Sequence, residues 1–366
     1  MKSISLKYLN HLFKALIVVF LLQSCSTNNN TNKNSGASKN ATIYVAGYEY
    51  NESQFESSIE ENAREVGMKH VVKLWKNGSS INLENSDLYS DANSVFVHKE
   101  DVYLVGSIMP DEESIAAIWK NGKIQKLTDG SKNAYAKTVF VEGNNVYVLG
   151  DEYNGAHYVI KVWKNGNALS LPDGKNSSQG TSLFIDKGNV YVAGYEEIGN
   201  KFLPKIWKNG IVQNISFNSE INFILSIFVE NGNIYAAGYE IVDNNYIAKI
   251  WKNGKAQNLS DGSRFSVASA IFVENGNTYV VGNETISGKG VAKLWINGKP
   301  ENISDGKNNA SAQSIFVQKA NIYIAGYEEN SRNRDVAKIW VNGVANDLTD
   351  GTKNGYANSI FVTYQN

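Results

Sequence analysis

SIFVENGNIYAAGYEIVDNNYIAKIWKNGKAQNLSD, residues Ser226 to Asp261, contains four short runs separated by turn signals. SIFV (Ser226 to Val229), IYAAGYE (Ile234 to Glu240) and AKIW (Ala248 to Trp251) are rich in β-branched and aromatic residues, and a shorter fourth run ends at Leu259. That chemistry between turn signals favours strands over helices. Asn253-Gly254 separates the third run from the fourth. Both central positions of a type I′ turn need positive φ, which Asn and Gly tolerate, so a tight hairpin is predicted here.

The same frame recurs along the chain. Seven tryptophans, Trp75, Trp119, Trp163, Trp207, Trp251, Trp295 and Trp340, are spaced by 44 residues with a last step of 45, and Asn-Gly follows each one. A lone four-stranded sheet cannot cover its own apolar faces, so sheets repeating at this period stack on one another as propeller blades. The predicted fold is all-β: a seven-bladed β-propeller with four antiparallel strands per blade. The chain enters the repeat in a second strand (Thr42 to Glu49) and leaves it after a first strand (Ser359 to Val362). The ring is therefore expected to close by joining the N-terminal strands two to four with the C-terminal strand one, which leaves no long edge unpaired.

Residues 1–24 read as an export signal. Lys2, Lys7 and Lys14 precede the apolar run Ala15 to Leu22, too short to span a bilayer comfortably. Leu22, Gln23, Ser24 and Cys25 resemble a bacterial lipobox, which implies acylation of Cys25 and removal of the preceding peptide. Residues 25–40, rich in Asn, Ser and Thr, are expected to form a disordered tether about 20 Å in r.m.s. span, followed by the propeller over 41–366. Cys25 is the single cysteine, which excludes intramolecular disulfides. Loss of the three leader lysines, with no acid among residues 1–24, takes the formal charge from −1 to −4. Nothing in that balance suggests a nucleic-acid partner.

In a propeller, the first-to-second and third-to-fourth turns lie on one face, and the second-to-third turns and inter-blade connections on the other. The first set is short and uniform here, as in Asn231 to Asn233 and Lys252 to Gly254. The second set is longer and varied, and it includes the acidic insertion Asn51 to Lys69, which carries Glu52, Glu56, Glu60, Glu61 and Glu65. Function is expected on the varied face, with the insertion read mainly as a solvated loop.

Glu49, Glu152, Glu196, Glu240, Glu284 and Glu328 lie two residues after the second-strand glycine, and Lys73, Lys161, Lys205, Lys249, Lys293 and Lys338 lie two before the tryptophan. In the remaining copy the two positions are Ile108 and Ala117, so both charges vanish together. They are read as partly exposed structural ion pairs, Glu152 with Lys161 and Glu240 with Lys249 among them. The Asp-Gly pairs that open the inter-blade connections, such as Asp129 and Asp261, are read as turn chemistry. No DxDxDG cluster or grouped histidines mark a metal site, and neither GxSxG nor a P-loop marks catalysis. No catalytic residue, metal or cofactor is assigned.

Within this regular frame two positions vary at the start of each first strand. The first reads Asp91, Tyr135, Gln179, Phe223, Val267, Ser311 and Tyr356; the second reads Asn93, Lys137, Thr181, Leu225, Ser269, Gln313 and Asn358. First strands line a propeller's channel, so these side chains are expected near its mouth, where mixed aromatic and polar groups suit a sugar or peptide. Phe217, in the irregular connection Ser216 to Leu225, is added as an apolar contact or channel plug. The candidates for ligand binding are thus Asp91, Tyr135, Lys137, Gln179, Phe217, Phe223, Leu225 and Tyr356.

The recurring "GxxxxG", "xxWxNG" and "LxDGxxxAxA" segments over Thr42 to Asn366 resemble those of bacterial extracellular propeller repeats, and the Asn-rich composition resembles that of Bacteroidetes lipoproteins. The resemblance implies export and a lipid anchor in the cell envelope, at the outer membrane given the residue after Cys25. It leaves the ligand open. The expected function is a monomeric, membrane-anchored binding or scaffold propeller holding a protein or glycan on its varied face. The alternatives are a polysaccharide-acting hydrolase or lyase, using acids such as Asp91, Asp151 or Glu152, and a structural subunit of an envelope complex.

Overall fold

The structure, a computed structural model, describes residues 41–51, 69–84, 89–169, 175–199, 201–217 and 221–364. The leader, Cys25, the tether and most of the acidic insertion lie outside the described residues. The described chain forms 28 strands arranged as seven four-stranded antiparallel sheets. Blade 1 takes its first strand from Gly355–Tyr364 and the rest from Ala41–Asn51, Lys69–Lys76 and Ser79–Ile81. Blades 2 to 7 occupy 89–126, 134–169, 177–213, 221–258, 266–302 and 310–347 in chain order. The fold and its closure are as predicted.

Seven separate clusters of buried side chains lie between the sheets, one for each pair of neighbouring blades. Each tryptophan faces the preceding blade: Trp251 of blade 5, for instance, packs with Tyr191, Ala193 and Ile206 of blade 4. The seven indoles are between 0% and 3% exposed, so the repeat period counts blade interfaces. Burying one large ring at a fixed place per blade adds a large apolar contact to every interface of the stack.

The Asn-Gly turns behave as the spacing predicts and add a second function. The seven asparagines adopt φ of 49 to 51° and the glycines that follow 78 to 83°. Each asparagine Oδ1 also accepts the backbone N–H that begins the second strand, as Asn253 does from Ile234 at 2.8 Å. The turn residue thereby binds to the next hairpin of its own blade.

Every first strand carries a β-bulge, and the bulged residue is the second variable position, as at Leu225 between Ile224 and Ser226. A bulge leaves backbone groups unpaired and twists the strand. It also brings the preceding carbonyl toward the second-strand glycine: a Cβ on Gly238 would lie 1.9 Å from the Phe223 oxygen. Glycine is required there for close approach.

The bulges join one blade to the next. Asn93 Nδ2 donates to the Ala136 carbonyl, Lys137 Nζ to that of Gly180, and Thr181 Oγ1 to that of Ile224, at 2.9, 3.1 and 2.7 Å. The serine after the bulge adds a second contact: Ser94, Ser182, Ser226, Ser314 and Ser359 each accept a backbone N–H from the following blade. Blade packing near the axis is therefore fixed by hydrogen bonds as well as by the small residues expected there.

One phenylalanine per first strand faces both neighbours. Phe96, Phe140, Phe184, Phe228, Phe272, Phe316 and Phe361 form a closed ring, with successive centroids 4.6 to 5.2 Å apart. This apolar girdle narrows the throat of the propeller.

Candidate functional site

On the varied face the first variable position stands directly opposite the residue after the second-strand glycine. The pairs are Tyr356 with Tyr48, Asp91 with Ser107, Tyr135 with Asp151, Gln179 with Tyr195, Phe223 with Tyr239, Val267 with Asn283, and Ser311 with Tyr327. Both columns vary from blade to blade. Of the second column only Asp151 was singled out in the sequence, as a possible catalytic acid; Tyr48, Tyr195, Tyr239 and Tyr327 were not.

Aromatic side chains dominate these pairs. Tyr327 of blade 7 lies 4.9 Å from Tyr356 of blade 1, which lies 5.1 Å from Tyr48. Tyr48 stacks on His70 at 4.5 Å, and His70 stacks on Tyr89 of blade 2 at 4.8 Å. Tyr50 meets Tyr48, His70 and Tyr356 edge-on. His70 is 3% exposed, whereas the surrounding tyrosines are half-buried and present part of their surface to solvent. Tyr135 and Tyr153 pack on Tyr158 in blade 3. In blades 4 and 5, Phe223 joins Tyr195, Phe202 and Tyr239. The aromatic arc stops at blade 6, where the opposed pair is Val267 and Asn283.

Two carboxylates accompany the rings of blades 7, 1 and 2. Asp91 Oδ1 accepts the Ser107 N–H at 2.9 Å and the Ser107 hydroxyl at 2.8 Å. Asp335 Oδ2 accepts the Tyr356 hydroxyl at 2.5 Å, and the Asp335 N–H donates to Asn354 Oδ1 at 2.9 Å. Burial raises the Asp335 carboxyl above the usual range; the Tyr356 bond opposes that shift and nearby Glu329 adds to it. Burial and then the two aspartates raise the phenols. Tyr89 is pushed up to about 12 by burial and Asp91, and Tyr327 to about 12 by burial and Asp335. Tyr48 and Tyr356 are raised further, by burial first. At neutral pH these hydroxyls remain protonated and act as hydrogen-bond partners rather than bases or nucleophiles.

The other proposed residues are placed differently. Lys137 forms an ion pair with Asp151, whose carboxylate also accepts the Gly180 N–H at 2.8 Å. Burial raises Asp151 and the Lys137 charge opposes the shift. Gln179 Oε1 is 3.5 Å from the Lys137 ammonium, so both side chains take part in the contact between blades 3 and 4. Leu225 is the bulged residue of blade 5 and has no polar group to extend to blade 6. Phe223 is 7% exposed within its aromatic neighbours. Phe217 packs on Trp251 at 6.0 Å in the apolar layer between blades 4 and 5. The half-buried set that remains on the varied face is Asp91, Tyr135 and Tyr356, joined by Tyr48, Tyr50, Tyr89, Tyr327 and Asp335.

All six Glu–Lys pairs form as predicted. The partners are diagonal neighbours: Lys249 lies opposite Gly238, two residues before Glu240. Glu152 and Lys161, 2.9 Å apart, keep 28% and 30% of their side chains exposed, as expected. Glu240 and Lys249 depart from that expectation, being buried to 1% and 2% exposure. In blade 2, Ile108 and Ala117 fill the same place with apolar groups at 1% and 0% exposure. The turn aspartates are also as read: Asp129, Asp261, Asp305 and Asp350 each accept the N–H two residues on, at 2.9 to 3.0 Å.

Among the described residues no group of three or more His, Cys, Asp or Glu side chains is arranged to hold a metal ion. Two grooves of about 250 and 210 Å³ open between blades 2 and 3 and between blades 5 and 6. They lie at the uniform turns, beside the equivalent pairs Tyr103–Lys120 and Tyr235–Lys252. Their repetition identifies them as packing grooves of the blade, remote from the varied face.

No protein-family model and no curated protein matches the chain. Similar solved structures include a puromycin-hydrolyzing peptidase of Mycobacterium tuberculosis, with 8% identity and a TM-score of 0.49 over 72% of this chain and 47% of that one. Hydrazine synthase of Kuenenia stuttgartiensis matches with 11% identity and a TM-score of 0.49 over 89% and 47%. The propeller domain of the Trilobed protease of Pyrococcus furiosus matches with 12% identity and a TM-score of 0.39 over 72% and 96%. The chain spans about half the length of the first two proteins. These likenesses concern the fold and carry nothing about activity.

Proposed function

We propose that this protein is a lipid-anchored propeller of the bacterial envelope that binds a glycan on its varied face. The observation that carries this reading is the aromatic arc over blades 7, 1 and 2, where Tyr327, Tyr356, Tyr48, Tyr50 and Tyr89 combine half-buried rings with hydroxyls and the carboxylates of Asp91 and Asp335. Sugars present apolar C–H faces and many hydroxyls, and such a surface is complementary to both. The rings are also set on strand ends rather than on free loops, so little order is lost on binding.

A glycan array probed with the full mature chain tests the proposal. Replacing Tyr50, Tyr135 and Tyr356 together by alanine should abolish the signal while the thermal transition persists. Equal binding by the variant would place the site elsewhere, and an array without any hit would remove the glycan reading.

One observation favours the hydrolase or lyase alternative. Asp335 is a carboxyl raised by burial beside a phenol, and a raised carboxyl is the type of group that serves as a general acid. Release of reducing ends from a polysaccharide that stops on Asp335→Asn would establish it. Export through the leader, acylation at Cys25, residence at the outer membrane and a monomeric state complete the proposal and rest on the sequence.

A further inference from the structure

The uniform turns, which glycan binding leaves without a task, carry a chemistry of their own. The residue after the tryptophan is lysine in five blades. Each of these, Lys76, Lys120, Lys164, Lys208 and Lys252, stands over the tyrosine opposite it on the second strand, 5.1 to 5.5 Å from the ring centroid. The ring attracts the ammonium without cancelling its charge. Counted with the residue on either side, the first-to-second and third-to-fourth turns hold eleven lysines and six acids, a net +5. Residues 25–366 carry −4 in all, so everything outside these turns carries −9.

Exposure sharpens the division. Nine of the eleven lysines are exposed, whereas five of the six acids are half-buried. Glu142, Glu230 and Glu274 turn sideways and accept backbone N–H groups in the next blade's turn, from Gly188, Asn275 and Lys319 at 2.8, 2.8 and 2.9 Å. Lys120 is ion-paired with Asp101 at 2.8 Å. Glu84, from the connection out of blade 1, adds one acid at the rim, where it accepts the Ile124 N–H at 3.0 Å, and the balance stays positive. The propeller is also entered from this side. Blade 1 has no first-to-second turn, because its first strand comes from the C-terminal segment; Ala41 pairs there with Tyr364 as Asn189 pairs with Asp186 in blade 4.

We infer that the ring of uniform turns docks on an anionic phospholipid bilayer, the membrane that carries the anchor, so that the varied face points away from the lipid. This rests on the lipid-anchor part of the reading above and not on the glycan. Phosphate headgroups offer the opposite charge to the lysines. Attraction between them falls off within a Debye length, about 8 Å at physiological salt, so all the lysines contribute only when the face lies flat on the surface. The tether expected over residues 25–40, about 20 Å in r.m.s. span, joins Cys25 to Ala41 and makes docking an intramolecular step, for which weak attraction suffices. Lys33 and Lys39 in that segment have the same sign as the turns. The negative remainder of the propeller is repelled by the same headgroups, which decides the face that turns to them.

Fluorescence energy transfer from the full mature, acylated chain to an acceptor lipid in vesicles tests the inference. The donor is attached through Ser79→Cys beside a uniform turn or through Ser331→Cys in a varied turn, both exposed positions. In vesicles of equal parts phosphatidylcholine and phosphatidylglycerol, transfer from position 79 should exceed that from position 331 at least twofold. The excess should fall in phosphatidylcholine alone, and in 1 M salt, where the Debye length is about 3 Å. Glutamine at Lys123, Lys187, Lys255 and Lys299 together should lower it in the same way, and arginine at the same four positions should preserve it. An excess equal in the two kinds of vesicle would overturn the docking and leave the anchor intact. Protein that floats with neither vesicle would remove both. Greater transfer from position 331 would refute the orientation. Retention on polyglutamate, with no dependence of the transfer on anionic lipid, would assign the turns to an acidic protein and overturn the inference.

Discussion

Asn358 donates its side-chain amide to the carbonyl of Ala92 at 2.8 Å, joining residues 266 positions apart. The adjacent Ser359 accepts the Val95 N–H at 3.2 Å. Together they repeat, across the two ends of the chain, the contact that links blades 2 and 3 through Asn93 and Ser94. The last strand therefore does more than pair with the first: it binds to the blade beyond it.

Removal of this clasp should loosen the ring where the chain is discontinuous. Asn358→Leu with Ser359→Ala is expected to cost about 1–3 kcal/mol for two hydrogen bonds. The opposite change is available at Ala270, which occupies the position of Ser226 in the next blade. Ala270→Ser should add a bond to the Ile315 N–H and stabilise by about 0.5–1 kcal/mol. Chemical denaturation of the three proteins checks both; a destabilised Ala270→Ser protein would contradict the clasp.

The buried pair in blade 5 and the exposed pair in blade 3 should respond differently. Glu240→Ala leaves Lys249 charged and buried, at a cost of about 3–5 kcal/mol, whereas Glu152→Ala should cost less than about 1 kcal/mol. Glu240→Ile with Lys249→Ala copies the solution of blade 2, where Ile108 and Ala117 are buried. The double change is expected to be several kcal/mol more stable than the single Glu240→Ala. Measured against the single changes Glu240→Ile and Lys249→Ala, a double variant whose effect is their sum would refute the coupling.

Asparagine in the hairpin turn has two tasks, a left-handed backbone and an acceptor for the second strand. Asn253 has φ of 49° and accepts from Ile234. Asn253→Gly preserves the first task and loses the second, at about 1 kcal/mol; Asn253→Ala loses both, at about 2–3 kcal/mol. Thermal melts that rank alanine above glycine would contradict this division.

Asp335 predicts a pH dependence of definite sign. Its native carboxyl is raised above the ordinary 3.8 by burial. Between 3.8 and the raised value the native state holds more protons than the unfolded chain, so its contribution to stability falls as pH rises through that window. Unfolding free energies of the wild type measured against Asp335→Asn should diverge in that direction from acid to neutral pH. A constant difference would show that Asp335 titrates normally.

Cys25→Ser is expected to move the protein from the membrane fraction to the soluble fraction. Continued membrane association would refute acylation at that residue.

The architecture was legible because it is a matter of counting. A tryptophan every 44 residues, Asn-Gly after each one and a second-strand start paired with a first-strand finish imply stacked sheets in a closed ring. Local turn chemistry was legible for a similar reason: positive φ selects Asn and Gly whatever surrounds them. The coupled loss of charge at Ile108 and Ala117 likewise revealed the ion pairs without coordinates.

What the tertiary structure alone decided depends on contacts between blades, which no period in one blade encodes. The chain did not show that Lys137 would be spent on Asp151, that Phe217 would pack on Trp251, or that Leu225 would sit on a bulge. Nor did it show that Tyr48, His70 and Tyr89, drawn from three different strands, would stack. Residues 44 apart occupy equivalent places, but what each side chain touches is set by the non-identical residues of the neighbouring sheet. The ring follows from the repeat; the site arises where neighbouring copies differ.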